Sequence, residues 1–231
     1  MDYLLELYTL QEAIEKNDIS SIKMLVSQGV DINQDLGGWT PLHYASDQGS
    51  LEIVQYLVEN QADIEKQTLG STPLLIASQN GQLDVLRYLL ENKADPNCCD
   101  KKVTPLIFAS RYGNLAMVQE LIKYDAEINH TDHSNSALHF ASNFVHFEVA
   151  KELIAQGANG ETALMFSAQI GSVEIVKELL NAKASVFKRD FGKTALDLTE
   201  NEEIKTLLKE KMFPKKKGFF HKCFCARTED N

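Results

Sequence analysis

The chain has 231 residues, 44% hydrophobic and 24% charged, which is enough apolar material for a packed core and the length of one domain or two small ones. Its charge is divided: residues 1–211 hold 18 lysines and arginines against 31 acids, whereas residues 212–231 hold 5 against 2. An acidic body excludes nucleic-acid phosphate as the main partner, no run approaches the roughly 18 apolar residues of a membrane span, and the acids in "MDYLLELYTL" do not suit a secretory leader.

The first segment, "YTLQEAIEKNDISSIKMLVSQGVDIN", sets Leu10 and Ala13 in a helical pattern but turns polar Gln11 and Glu12 outward. From Thr40 a phrase begins that returns along the chain. It reads "TPLHYAS" at Thr40, "TPLLIAS" at Thr72, "TPLIFAS" at Thr104, "SALHFAS" at Ser136, "TALMFSA" at Thr162 and "TALDLTE" at Thr194. The starts lie 32, 32, 32, 26 and 32 residues apart, and 32 before Thr40 stands "YTLQEAI" in register. A fixed period of this length marks a repeat architecture. The expected units are 1–39, 40–71, 72–103, 104–135, 136–161, 162–193 and 194–211, followed by a tail at 212–231.

One unit explains the others. Thr40 suits an N-cap, and Pro41 sits at the first helical position, where a missing N–H costs nothing. Leu42 and Ala45 begin a short inner helix that Gly49 can end in the left-handed conformation. A second helix, "SLEIVQYLVEN", gathers Leu51, Ile53, Val54, Leu57 and Val58 on one face, and "ADIEKQTLGS" returns as an extended turn. So small a helix pair cannot bury its own apolar face. Stacking on neighbours must supply the core, which predicts a solenoid. The polar outer sides of the first unit and of "TALDLTENEEIKTLLKEK" suit the two ends of such a stack.

The unit at 136–161 is irregular. Its helices are complete, but six residues of the extended turn are missing between Ala158 and Gly160, where Asn159-Gly160 can close the gap as a tight turn. Val145 also stands where Gly49, Gly81, Gly113 and Gly171 stand in the other units, so that turn must be strained or rebuilt. Asn17 and Asn201 are expected to fill the slot in the end units. Two irregularities in one unit leave three readings open, a functional bend, a neutral loss of a loop, and disorder around the junction.

The repeat resembles the ankyrin repeat, and "GWTPLHYASDQGSLEIVQYLVENQADI" follows that family's pattern almost word for word over a chain region from about residue 8 to residue 211. The resemblance implies an all-α solenoid with short β-hairpin turns. It also implies that His43 and His139 are structural, tying neighbouring units by hydrogen bonds. Members of the family bind partners through hairpin tips and the exposed side of the inner helices, a concave groove. Carried onto this chain, that points to Trp39, Ser71, Val103, Asn135, Glu161 and Lys193 before each repeat start. It points as well to the pairs Asp47-Gln48, Gln79-Asn80, Arg111-Tyr112, Asn143-Phe144 and Gln169-Ile170. Arg111, Tyr112, Phe144 and Trp39 stand out, because exposed aromatics and arginine anchor interfaces. Tyr44, Phe108, Phe140 and Phe166 are expected between units instead.

Catalytic signals are missing. "FGKT" at Phe191–Thr194 lacks the glycine that a phosphate loop needs at Phe187, and there is neither a G-x-S-x-G nor an H-E-x-x-H. His130 and His133, with Asp132 between them, have a conceivable metal spacing but read better as loop histidines. Cys98-Cys99 has no base nearby in sequence, and adjacent cysteines rarely bridge each other. The expectation is a non-enzymatic, intracellular protein that needs no cofactor or metal and binds another protein. In the tail, "MFPKKKGFFHKCFC", the run Lys215–Lys217 beside Phe219, Phe220 and Phe224 suits contact of residues 214–225 with an anionic membrane surface. Acylation of Cys223 and Cys225 would make that contact lasting, and the alternative reading is therefore a cytoplasmic adaptor held peripherally at a membrane.

Overall fold

In the computed structural model, which describes residues 10–100, 103–132 and 135–214, the repeated phrase starts a helix. The first pair of helices is α1 (residues 10–15) and α2 (Ile19–Ser27), the latter capped by the Asp18 carboxylate, which accepts from the N–H groups of Ser20 and Ser21. Thr40 is extended, and α3 (Pro41–Gln48) begins on the proline behind it. After α4 (Leu51–Glu59), Thr72 caps α5 (Pro73–Gln79) with a hydroxyl that accepts from Leu75 N. α6 (Leu83–Glu91) follows; the same hydroxyl cap, from Thr104 and Ser136, starts α7 (Pro105–Arg111) and α9 (Ala137–Asn143), and Asn114 caps α8 (Leu115–Lys123) between them. The chain continues with α10 (Phe147–Ala155), α11 (Glu161–Ile170), α12 (Val173–Asn181), α13 (Ala195–Leu198) and α14 (Glu202–Met212).

Each inner helix packs on the next, α3 on α5, then α7, α9, α11 and α13, and the outer helices follow from α4 through α14. Ile53, Val54 and Leu57 on α4 are fully buried, as are their counterparts Val85, Leu86 and Leu89 on α6 and Met117, Val118 and Leu121 on α8. The buried residues join into one core running the length of the stack. That is the expected all-α solenoid, with hairpins at the unit ends.

The hairpin fingers are small. Thr68 pairs with Ser71 and Asp190 with Lys193, each through two backbone hydrogen bonds of 2.9–3.0 Å. The finger of the fourth unit is a two-residue ladder, β1 (Thr131–Asp132) against β2 (Asn135–Ser136). Beneath the fingers runs a polar ladder. Asn33 donates to Gln61 O and accepts from Asp63 N; Asn97 does the same with Asp125 and Glu127, and Asn129 with Gly157 and Asn159. Glu65 takes the rung at Asp95 N. Every rung ties a finger base to the following unit.

The fifth unit keeps this register as far as Asn159 and then breaks. Asn159 Oδ1 accepts from Glu161 N of its own turn, and α11 begins at Glu161 with Gly160 as its cap. Thr162 therefore lies inside the helix and caps nothing, unlike Thr72 and Thr104. Gly160 is needed for closeness: a Cβ there would stand 2.6 Å from Leu179 Cδ2. Val145 resolves the other irregularity. It adopts φ +59°, and its neighbours make the same hydrogen bonds as those around Gly49, so the turn is strained and not rebuilt. Asn17 takes the slot as expected, at φ +54°. Asn201 does not: it is the extended N-cap of α14 at φ −73°, because α13 stops after one turn and leaves no left-handed corner to fill.

The two signature histidines differ. His43 Nε2 lies 3.1 Å from Ser71 O, the last residue of its own unit's finger, and Nδ1 lies 2.6 Å from Thr40 Oγ1. Since a carbonyl only accepts, Nε2 carries the proton, and Nδ1 accepts from the hydroxyl and from Thr40 N. His139 is 6% exposed with its ring centroid 3.8 Å from that of Phe166, yet neither ring nitrogen has a hydrogen-bond partner among the described residues. The residue in the place of Ser71 is Glu161, whose carbonyl is taken into the α11 ladder. His43 thus bonds to the finger of its own unit and not, as expected, to a neighbouring unit, and His139 lacks even that bond, because the finger that would accept it is absent.

Three substitutions test these statements. Val145→Gly relieves a left-handed β-branched residue and should raise unfolding stability by about 1 kcal/mol, seen as a higher urea midpoint. His139→Leu, which copies Leu75, should raise it by about 1 kcal/mol by removing an unsatisfied buried group, whereas His43→Leu should lower it by about as much. Burial holds both imidazoles below their usual pKa. Below the unfolded value of about 6.5 the unfolded chain binds more protons, so stability present at neutral pH is lost as pH falls. The fall in urea midpoint from pH 7 to pH 5 should be smaller in His139→Leu.

Candidate functional site

The ends of the inner helices line one strip, because α3, α5, α7, α9 and α11 stack in order. Its N-terminal half is polar and internally bonded. Asn80 Nδ2 donates to Asp47 Oδ1 at 2.7 Å, and Gln82 Nε2 donates to Asp47 O at 2.9 Å, while Gln48 and Gln79 are exposed. Gly49 leaves room for this tie, since a Cβ there would meet the Gln82 amide.

The C-terminal half is apolar and aromatic. Tyr112 is 57% exposed, stacked on half-buried Phe108, and Phe144 is 45% exposed. The Arg111 guanidinium lies 6.0 Å from the Phe140 ring and 5.9 Å from the Phe144 ring. At that distance two rings hold the cation by cation–π attraction, so its orientation is set before any partner arrives. The main chain beneath it is pinned as well, with His146 Nε2 3.0 Å from Arg111 O. Val145 and Ile170 extend the apolar surface, and Asn143 and Gln169 are exposed beside them.

A cleft of about 270 Å³ adjoins the strip between α11 and the last finger, lined by Met165, Phe166, Gln169, Asp190, Phe191 and Leu198 among others. Phe191, at the tip of that finger, is 99% exposed. Sequence reasoning passed over Phe191 as the end of a false phosphate motif; the cue was an aromatic residue at a finger tip. Trp39, by contrast, is half-buried against His43 and Tyr44, so most of its ring is spent on packing. Tyr44, Phe108 and Phe140 pack against the core as expected.

The remaining chemical candidates are poorly placed for reaction. Cys98 is buried, its Sγ accepting from Thr72 Oγ1, and burial pushes its pKa up to about 12, so the thiolate is suppressed. Cys99 is exposed and free. His130 lies 3.6 Å from a Glu127 carboxylate oxygen, His133 falls outside the described residues, and no metal-binding cluster occurs among the described residues. Residues 215–217, Cys223 and Cys225 lie outside them too. No described helix is long and apolar enough to cross a membrane.

Comparison with known proteins supplies the family. No curated protein sequence matches the chain. In structure, the crystal structure of the human ASB11 ankyrin repeat domain matches with a TM-score of 0.77 at 26% identity, over 86% of this chain and 96% of that one. As 486 solved chains match, the likeness fixes the architecture and leaves the partner open. The family model described as "Ankyrin repeats (3 copies)" matches residues 10–100, 93–159 and 138–217, and with the stacked helix pairs, the fingers and the Thr-Pro-Leu-His start already in view, the chain belongs to the ankyrin repeat family.

Proposed function

We infer that the chain is a non-enzymatic interaction module, an adaptor, scaffold or inhibitor, that grips a protein partner on its concave strip. Ankyrin repeats are generally protein–protein interaction modules, and the fold is typically free of catalysis. The observation that supports the placement is the run Arg111, Tyr112, Phe144 and Ile170, three successive units exposing interface-type side chains at the same position. Their backbone is held by the stack and Arg111 by two rings, so little freedom is lost on binding. The polar half, from Asp47 to Asn80, would form the rim.

The tail supports an additional role by its sequence. Lys215–Lys217 ahead of Phe219, Phe220, Cys223 and Cys225 suits peripheral membrane attachment, which would present the groove at a lipid surface. Loss of membrane recovery on fractionation of a Cys223→Ser/Cys225→Ser form supports acylation there, and unchanged recovery removes it.

The groove is tested by the triple variant Arg111→Ala/Tyr112→Ala/Phe144→Ala. All three side chains are exposed, so its unfolding midpoint should stay near that of the parent chain. Recovery of partners in a quantitative pull-down should fall by about tenfold or more. A folded triple variant that retains every partner refutes the placement.

A further inference from the structure

We propose that the gap left by the absent fifth finger is a docking notch for an extended polypeptide segment of the partner, which lies between the fourth and sixth fingers where a finger of the chain lies elsewhere. This rests on the reading above that the partner is a protein.

The register locates the gap. The rung from Asn129 to Asn159 keeps the 32-residue spacing, and Gly160-Glu161-Thr162 aligns with Gly70-Ser71-Thr72 of the second unit. The six missing residues are therefore the counterparts of residues 64–69, about 20 Å of extended chain. Their place is an open notch of about 450 Å³, walled by Thr131 and Ser136 of the fourth finger and Lys188 of the sixth, with Asn159, Glu161 and Thr162 as its floor. Lys188 Nζ pairs with Glu161 Oε2 at 3.1 Å across the floor. The hydroxyls of Thr131 and Thr162 have no partner among the described residues.

The occupant follows from what surrounds it. In the second unit this same space holds a two-armed polypeptide finger, so the walls are shaped for peptide on both sides. The lining is amide, hydroxyl and one ion pair, groups that recognise main-chain N–H and C=O and give no deep apolar pocket. The strongest sign is His139. In the second unit His43 Nε2 donates to the carbonyl of Ser71 in the following finger, while Nε2 of His139, at the same position, makes no hydrogen bond among the described residues; the Nδ1 of His139, the counterpart of the atom that pairs with Thr40 in His43, is separately buried without a partner. A main-chain carbonyl brought in by the partner segment would complete that tie. The unit that lost its finger has kept the histidine that a finger would satisfy.

A random peptide library displayed on phage and selected on the full chain tests the notch, with each selected clone measured against four variants. The first restores the finger by inserting Ile-Glu-Lys-Gln-Thr-Leu, copied from residues 64–69, between Asn159 and Gly160. The second, Thr131→Trp, obstructs an exposed wall and guards against misfolding of the insertion. The third is His139→Leu, and the fourth is the concave triple variant. Notch-bound clones should lose about tenfold or more in affinity on finger restoration and on Thr131→Trp, and about threefold or more on His139→Leu. Clones that bind the folded restored chain and Thr131→Trp as tightly as the parent overturn the notch, as does a selection that yields no clone. If those clones fail only on the triple variant, the concave groove stands and the notch falls; if they survive all four variants, both fall.

Discussion

A pair of helices seven to nine residues long has only one apolar stripe on each helix and nothing of its own to close over it. Ile53, Val54 and Leu57 reach zero exposure because α6 and the helices before α4 lie on both sides. Stability is therefore a property of interfaces between units, passed along one dimension. That constraint decides which positions are fixed. Threonine, proline, leucine and alanine at the inner helix start and the paired apolar residues of the outer helix serve the interface. The finger tips and pairs such as Gln79-Asn80, Arg111-Tyr112 and Asn143-Phe144 at the inner-helix ends lie outside the apolar core, and their side chains vary from unit to unit.

This division explains what could be read from the residues. The helix starts, the outer apolar faces and the position of the missing finger were legible, since each rests on local capping chemistry and a period of 32. The conformation of Val145 was legible only as a conflict. Its neighbours on both sides are held by the stack, so the backbone takes the glycine shape and the strain stays in one residue. Other left-handed corners gave no signal at all. Gln61, Lys93, Asp125 and Lys183 end their outer helices at φ +62° to +72°, where Gly29 and Gly157 do so in the sister units. Without the coordinates, nothing separates Lys93 from an ordinary helical lysine.

Side-chain partners were less legible than backbone shape. The rungs from Asn33, Asn97 and Asn129 join residues 28 to 30 apart, a distance set by the stacking of units and not by any local rule. The "DIN", "DPN" and "EIN" triplets held the signal, but an asparagine in a turn has nearer uses. Asn201 failed for the opposite reason. The slot was assigned to it by type, and α13 proved too short to have one. Along the strip, residue type singled out Arg111, Tyr112 and Phe144, which are exposed, and Trp39, which is half-buried because its neighbours His43 and Tyr44 come from the turn of helix just beyond it.

The fifth unit shows how a one-dimensional stack tolerates damage. Losing a finger removes one rung, one threonine cap and one histidine tie, yet α9 still packs on α11 and α10 on α12, so the apolar interface remains continuous. The lost interactions are polar and lie on the finger side; the retained ones are apolar and lie between helices. Burial of apolar surface supplies most of the interface energy, while a net hydrogen bond contributes only about 1 kcal/mol. A gap can therefore open on the finger side without parting the stack. The same asymmetry makes His139 informative. A buried ring nitrogen with no partner, His139 Nδ1, is a cost to folding, and it lies in the unit that has lost its finger.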